Sequence, residues 1–269
     1  MLIIGEKINS TSKIVYTAIA ARDASAIQEL ARRQAEAGAN YIDVNAGAFS
    51  GDEPQRLAWL VETIQAAVET PLCLDTPNPA AMEAGLKAYS AHGAYRSEAP
   101  PILNSLTAAK SSYDFMLPLA LEYGAKIIAL CMDENGIPAA SEGRYNIAQR
   151  LIGQLAGAGV KPDDIYIDPL VKPISTGTTH GIAAIETIRL IKAGYPGSHI
   201  VCGLSNVSYG LPRRELINQA FLMATMAAGI DCAILNPMDN MLMSLIAAAE
   251  AVLGMDENCG NYLEKYRNG

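Results

Sequence analysis

Polar side chains that can bond a ligand recur at one place in this sequence, directly after short apolar runs. Asp43 and Asn45 close the run that begins at Tyr41, Asp75 follows Leu72-Cys73-Leu74, and Asn104 follows Pro101-Ile102-Leu103. Asp168 follows Ile165-Tyr166-Ile167, Ser205 and Asn206 follow the run from His199 to Gly203, and Asn236 follows Cys232 to Leu235. Successive side chains of a strand point to opposite faces, so Asp43 shares a face with Asn45, Cys73 with Asp75, and Tyr166 with Asp168. A single Asp or Asn at a strand end usually does no more than cap the next turn. A whole set of them, if the fold brings the strand ends together, makes a polar pocket. The set holds carboxylates and carboxamides. His92, His180 and His199 lie instead in a helix-end turn, at a helix start and at a strand start, so metal ligation is a weak reading. The strand-end set offers no His beside its Ser or Cys, which makes a nucleophilic triad equally weak.

The elements that must position this set are legible in the pattern of apolar residues. Eight short runs read as strands: Leu2 to Ile4, Tyr41 to Val44, Leu72 to Leu74, Pro101 to Leu103, Lys126 to Cys131, Ile165 to Ile167, His199 to Gly203 and Cys232 to Leu235. Stretches of helical period separate them, among them Ile27, Leu30, Ala31 and Ala35, then Leu57, Leu60, Val61, Ile64 and Val68, and later Ile182, Ile185, Ile188 and Ile191. Asp23 is placed to cap the first of these helices and Gly38 to end it, and Pro212 is expected in a first helical turn. Gly124, Gly159, Gly194 and Gly229 each stand between a helix and a strand. No linker or low-complexity stretch interrupts the series. Eight βα units in 269 residues predict an α/β fold of one domain, residues 1–269, closed into a (β/α)8 TIM barrel; an open doubly wound sheet is the alternative.

A barrel gathers the C-terminal ends of all its strands at one mouth, which is where such enzymes build their sites. The expected pocket suits a neutral planar heterocycle carrying amidine-like N–H donors and ring acceptors, such as a pterin. A carboxylate accepts from an exocyclic amine and a ring N–H while a carboxamide both donates and accepts, so Asp75, Asn104 and Asp168 could satisfy such an edge. Composition narrows the partners. With 20 Lys and Arg against 28 Asp and Glu, a net charge of −8 supplies no basic field for a phosphate backbone. No run reaches the roughly 18 apolar residues of a membrane span, and Met1 to Lys7 lacks the basic start and cleavage site of a signal peptide. Five scattered cysteines suggest neither a disulfide framework nor a metal knuckle. Four of them, Cys73, Cys131, Cys202 and Cys232, lie in apolar runs as small buried hydrophobes, and a reducing cytoplasm is the expected compartment.

Six motifs in order and spacing give the chain a resemblance to the methyltetrahydrofolate:corrinoid methyltransferase family. They are Gly5-Glu6-Lys7-Ile8-Asn9, Asp43-Val44-Asn45-Ala46-Gly47, Cys73-Leu74-Asp75-Thr76, Leu103-Asn104-Ser105, Tyr166-Ile167-Asp168-Pro169 and Gly203-Leu204-Ser205-Asn206-Val207-Ser208, the last two being the most specific. The resemblance runs from Met1 to about Ala251. It implies that Asp75, Asn104 and Asp168 bond the pterin ring, that Asn206 reaches nitrogen 5, where the methyl group is carried, and that Gly203 and Ser205 shape the same wall. Asn9, Asp43 and Asn45 join the substrate-binding candidates, and Asn206 is the catalytic one. The resemblance further implies a homodimer, with tetrahydrofolate or methyltetrahydrofolate as substrate and cobalamin supplied by a separate corrinoid protein, since the chain carries no Asp-x-His-x-x-Gly corrinoid motif.

The chemistry this implies is an in-line displacement between nitrogen 5 and cobalt, in which the nitrogen must gain or lose a proton. Asn206 could stabilise developing charge but cannot itself supply that proton, which leaves solvent as the source. The loop Val171 to Thr179, with Lys172 and a Ser-Thr-Gly-Thr-Thr run, favours a demethylation pathway in which methylcorrinoid delivers its methyl group to tetrahydrofolate. Methyl transfer to a corrinoid iron–sulfur protein in the acetyl-CoA pathway is the alternative direction. Dihydropteroate synthases are related pterin-binding barrels, but Asn9-Ser10-Thr11-Ser12-Lys13 departs from their Asn-Val-Thr-Pro-Asp-Ser loop. Arg213 and Arg214 are the paired basic candidates for the diphosphate that such a synthase binds, and a solvated helix start explains them equally well. A non-catalytic module that binds folate or docks a corrinoid protein would keep the fold and transfer nothing. A Schiff-base barrel lyase lacks its lysine, because Lys126 starts its strand and Lys172 sits in a loop.

Overall fold

Apolar runs that alternate with helical stripes have one economical arrangement, in which each strand pairs in parallel with its predecessor and each helix returns the chain across the outside. The computed structural model describes residues 1–91 and 100–267 and has this arrangement; His92 lies outside the described residues. Eight strands alternate with helices: β1 Leu2–Asn9, β2 Tyr41–Asn45, β3 Leu72–Asp75, β4 Ile102–Thr107, β5 Lys126–Leu130, β6 Ile165–Asp168, β7 His199–Ile200 and β8 Cys232–Leu235. The helices are α1 Lys13–Ala20, α2 Ala24–Glu36, α3 Glu53–Gln65, α4 Pro79–Ala91, α5 Lys110–Glu122, α6 Ser141–Gly157, α7 His180–Gly194, α8 Arg214–Ala228, α9 Asn240–Val252 and α10 Gly260–Arg267. The sheet order β7-β6-β5-β4-β3-β2-β1-β8 is that of a (β/α)8 barrel. Its seam lies between β7 and β8. There the ladder thins to a bridge between Gly203 and Ile234 and the bond from Ile234 N–H to the Cys202 carbonyl at 2.9 Å. The run His199 to Gly203 is thus a regular strand only over its first two residues, and the remainder leaves the β6 ladder to close the barrel.

One side chain from each strand position fills the barrel interior. Ile4, Tyr41, Cys73, Ile102, Ile128, Tyr166, Val201 and Cys232 form a buried cluster distinct from the much larger one between strands and helices. This apolar floor sets the rest by alternation, since the residues two steps further along the strands include Glu6, Asp43, Asp75, Asn104 and Asp168. Cys73, Cys131, Cys202 and Cys232 are all buried; Cys259 is exposed.

Local signals behave as their chemistry requires, with three exceptions. Asp23 accepts from the Ala26 N–H at 3.1 Å and starts α2, while Gly38 follows its end at φ +95°, a conformation that favours glycine. Pro212 lies before α8 rather than in its first turn, because Arg213 is the N-cap. Gly194 is the last residue of α7, not a break after it. In α7 the buried face runs through Ala183, Ala184, Thr187, Ile188 and Ile191, so Ile182 is 47% exposed and lies off the stripe expected for it. Among the described residues no helix is long and apolar enough to cross a membrane.

The N-terminal end of the barrel carries a charge cluster remote from the mouth. Asp231 accepts from His199 Nδ1 at 3.0 Å, Lys192 Nζ at 3.1 Å and the Ile200 N–H at 2.8 Å. Those donors outweigh its burial and hold its carboxyl below the usual range. A carboxyl with a depressed folded pKa contributes stability that is complete above its unfolded pKa and is lost as pH falls through the folded value. We therefore expect Asp231→Asn to cost about 2 kcal/mol of unfolding free energy at pH 7 and progressively less toward pH 3, measured by urea titration; a deficit independent of pH would contradict the ion-pair origin.

Candidate functional site

Three carboxyl groups meet above the apolar floor, and each is handled differently. Asp75 ends β3, where the Asn45 amide donates to its Oδ2 at 3.0 Å and to its carbonyl at 3.1 Å. Burial raises its pKa to about 6; the bond from Asn45 opposes this, and the charge on Glu53 adds to it. Asn45 is itself fully engaged, its Oδ1 accepting from Ser10 Oγ at 2.8 Å and from the Gly47 N–H at 3.0 Å. The structure therefore places Asn45 as the brace of Asp75. Asp43 sits deeper, almost wholly enclosed, with Asn104 Nδ2 at 3.4 Å from its Oδ1. Burial and the nearby Asp75 push its carboxyl well above the ordinary range, against the bonds from Cys73 and Asn104. Isolated charge in such a place costs several kcal/mol, so the neutral form wins and Asp43 underpins Asn104.

Asp168 ends β6 and turns the chain. Its Oδ1 accepts from the Leu170 N–H at 2.7 Å, and Leu170 takes a left-handed φ of 62°. Arg144 of α6, fully buried, holds that turn from behind: its Nη1 donates to the carbonyls of Pro169 at 3.1 Å and Leu170 at 2.9 Å, and its Nε to the carbonyl of Pro138 at 2.9 Å. Burial raises Asp168 to about 7, although the Leu170 bond and the Arg144 charge both pull it down.

The fourth wall follows β7. Leu204–Asn206 form a single 3-10 turn whose exposed Asn206 is anchored by the buried Val207 and Ser208. A Cβ at Gly203 would lie 3.0 Å from Asn206 Nδ2, so glycine there leaves the Asn206 amide its position. Ser205 donates to Glu6 Oε1 at 2.7 Å. Arg214 is turned inward, donating to the Ser205 carbonyl at 2.6 Å and to Ser208 Oγ at 3.0 Å; it braces this loop. Asn9 organises its own loop, Oδ1 accepting from Thr11 N–H at 3.0 Å and Thr11 Oγ1 at 2.7 Å. Asn236 likewise caps a turn, accepting from the Met238 N–H at 3.2 Å.

The fold thus brings Asp75, Asn104, Asp168, Gly203, Ser205 and Asn206 to one mouth, with Asp43 beneath and Asn45 and Asn9 paired at the ends of β2 and β1. His199 sits at the other end of the barrel, and His180 Nδ1 lies 2.9 Å from the Pro173 carbonyl at the start of α7. Among the described residues no group of three or more His, Cys, Asp or Glu could hold a metal ion. Sequence reasoning gave no role to Glu6 or Arg144. Glu6 had a usable signal, standing two residues beyond the inward-facing Ile4. Arg144 had none, because on a helix face it reads as an ordinary surface cation.

Comparison with known proteins accords with this geometry. The family model for pterin binding enzymes matches residues 5–236. The chain is 36% identical over 274 aligned residues to a methylcorrinoid:tetrahydrofolate methyltransferase of Eubacterium limosum, covering 100% of this chain and 97% of that protein. It is 30% identical to the methionine synthase of Mycobacterium tuberculosis, covering 95% of this chain but only 22% of that much longer enzyme. Among solved structures, the dihydropteroate synthase of Yersinia pestis superposes with a TM-score of 0.66 at 16% identity, over 94% of this chain and 93% of that one. At that identity the likeness concerns the fold alone.

A carboxyl whose folded pKa is raised above 3.8 binds its proton more tightly in the fold than in the unfolded chain, so it lowers stability as pH rises toward its folded value of about 7. Asp168→Asn, which keeps the acceptor for Leu170 and removes the charge, is expected to raise the melting temperature by about 5 °C at pH 8 and by clearly less at pH 5. Thermal melts across that range check it, and a gain of the same size at both pH values would show that the charge is not its source.

Proposed function

The chain belongs to the pterin binding enzymes, and we propose that within them it is a single-domain methyltransferase, residues 1–269, acting between nitrogen 5 of tetrahydrofolate and the cobalt of a corrinoid held by a separate protein. The direction is from methylcorrinoid to tetrahydrofolate. The observation that carries this reading is the layer of Asp75, Asn104 and Asp168 standing directly on the apolar floor of the barrel, with the exposed Asn206 beside it. A pterin presents an exocyclic amine and ring N–H groups along one edge, and two carboxyls with a carboxamide between them match that edge. Similarity along the whole length of a methylcorrinoid:tetrahydrofolate methyltransferase supports the substrate pair and the direction. A homodimer and a cytoplasmic location complete the proposal.

The geometry divides the work. Asp75, braced by Asn45, and Asp168, braced by Leu170 and Arg144, hold the ring; Asn104 is fixed from below by Asp43. Asn9, at the end of β1, is a further contact. Placing the ring leaves nitrogen 5 toward the β7 loop, where Asn206 can bond the nitrogen as its charge changes. The methyl carbon leaves cobalt with the electron pair remaining on the metal, the nitrogen lone pair forms the new N–C bond, and the ammonium so formed gives up its proton.

An interaction made in the transition state lowers turnover without weakening substrate binding. Asn206→Ala is accordingly expected to reduce methyl transfer from methylcobalamin to tetrahydrofolate by about 10²-fold while the Kd for tetrahydrofolate changes by less than about threefold. Asp75→Asn and Asp168→Asn should instead weaken that Kd by more than about tenfold. The corrinoid spectrum and isothermal calorimetry read the two quantities. Equal losses of rate and affinity in Asn206→Ala would remove its transition-state role.

A further inference from the structure

We propose that Glu6 is the positioning residue that takes and returns the nitrogen-5 proton, acting through the hydroxyl of Ser205. The inference rests on the methyl-transfer reading and deepens it, because neither Asn206 nor the pterin-facing carboxyls give that proton a route out of the site.

Glu6 stands at an irregularity in β1. Gly5 pairs with Ile42 and Ile8 with Val44, so three steps on β1 oppose two on β2 and one residue bulges. The bulge is held from outside by Gln34 of α2, whose Oε1 accepts from the Lys7 N–H at 2.9 Å. The same oxygen lies 2.6 Å from where a Cβ on residue 5 would stand, which is why Gly5 occupies that place. Gln34 is itself wholly buried. Alternation from the inward Ile4 turns Glu6 into the barrel, and the bulge beyond it, held by a buried carboxamide and a glycine, sends Ile8 out to the strand–helix core, so that Glu6 is the last inward residue of β1 before the irregularity.

The seam strands bring Glu6 to Ser205. Ile4 pairs with Ile234, and Ile234 bridges Gly203; two residues beyond these stand Glu6, Asn236 and Ser205. The Ser205 hydroxyl donates to Glu6 Oε1 at 2.7 Å, and Asn218 Nδ2 approaches Ser205 Oγ at 3.5 Å. Ser205 immediately precedes Asn206 in the same 3-10 turn. A hydroxyl that donates on one side and accepts on the other passes a proton by rotation, which a carboxamide cannot do. Glu6 and Ser205 both border a cavity of about 160 Å³ that also touches Asn218 and Asn236, large enough to hold water with which the carboxyl can exchange.

The charged groups around Glu6 are Lys7 on its own strand, Arg214 and Glu215 from α8, Asp239 at the start of α9, and Asp43 within the barrel. Burial raises the carboxyl above its ordinary value, against the Ser205 bond and the charges of Lys7 and Arg214. In the direction toward tetrahydrofolate, the proton released from the newly methylated nitrogen passes to Ser205 as Ser205 gives its own to the Glu6 carboxylate. In reverse, protonated Glu6 returns it, nitrogen 5 becomes a neutral amine on leaving, and the methyl carbon moves to cobalt(I). Protons and electron pairs balance in both directions.

Single-turnover transfer from methylcobalamin to tetrahydrofolate, followed from pH 5 to pH 9 alongside the tetrahydrofolate Kd, tests this. Glu6→Gln should slow transfer by about 10²-fold with Kd within about threefold, and should lose one rising limb of the pH–rate profile. Ser205→Ala should lose the same limb, and the double variant should be no slower than the slower single. In the opposite direction, from methyltetrahydrofolate to cob(I)alamin, the limb lost is a falling one. A Glu6→Gln enzyme slowed equally at every pH would make Glu6 merely structural. Should Glu6→Gln fail to fold, Ser205→Ala decides, and a wild-type profile there overturns the relay. If the wild-type protein binds tetrahydrofolate and transfers no methyl group, the methyl-transfer reading falls and the relay with it, an outcome distinct from intact transfer with an unaltered profile in both variants.

Discussion

Carboxyl groups buried over an apolar floor are the constraint on which the rest of this structure turns. The barrel interior offers little solvent to Glu6, Asp43, Asp75 and Asp168, and desolvation is the largest influence on each of them. Removing an ionised carboxylate from water without compensation costs more than a domain's net stability can bear. The fold answers with neutral donors in nearly every case: the amide of Asn45 for Asp75, that of Asn104 for Asp43, the Leu170 N–H for Asp168 and the Ser205 hydroxyl for Glu6. Neutral donors leave all four carboxyls raised by burial, Asp75 to about 6 and Asp168 to about 7, whereas a cation beside each would hold them ionised.

Arg144 shows how the one nearby buried cation is kept from doing so. Its guanidinium spends its hydrogen bonds on the carbonyls of Pro138, Pro169 and Leu170, and so shapes the turn that carries Asp168 without bonding its carboxylate. Arg214 does the same for the β7 loop through the Ser205 carbonyl and Ser208. Both arginines act on backbone position. This distinguishes the mouth from an anion site, where guanidinium groups would face the ligand.

Much of this was legible in the sequence because strand alternation and burial act over a few neighbouring residues. Each of the eight apolar runs became part of a strand, and the inward face read from Asp43, Asp75 and Asp168 carries the polar layer. Features set by distant partners were not legible. The β1 bulge depends on Gln34, nearly thirty residues later, and nothing in Gly5-Glu6-Lys7 alone announces it. Two of the three carbonyls that meet Arg144, those of Pro169 and Leu170, belong to the loop after β6, 25 and 26 residues away in the chain. His199 to Gly203 reads as one strand, but at the seam its second half must leave the β6 ladder to reach β8. On α7, Ile182 follows the isoleucine period but is exposed, while the smaller Ala183 and Ala184 pack inward, so the apolar period alone does not identify the buried face there.

Poised carboxyls connect recognition to chemistry. A site made of fixed carboxylates would bind N–H donors firmly but would hold every proton it received. A site of amides alone would bind them weakly and accept none. Here Asp168 is raised to about 7 and Asp75 to about 6, so under the proposed pterin contacts a ring donating to them would draw each toward its ionised form and release a proton on arrival. Binding would then be coupled to proton release before any methyl group moves. The stability lost by burying these carboxyls is recovered in part when a ligand's N–H groups replace the missing water. The ladder is irregular at three places along the mouth, and each carries a residue of the proposed site: the bulge of β1 beside Glu6, the register shift after Asn104 between β4 and β5, and the loosened seam after β7 that leads to Ser205 and Asn206. Asp75 and Asp168 end β3 and β6 in regular register, so the two carboxyls proposed to hold the ring stand on the unbroken part of the sheet.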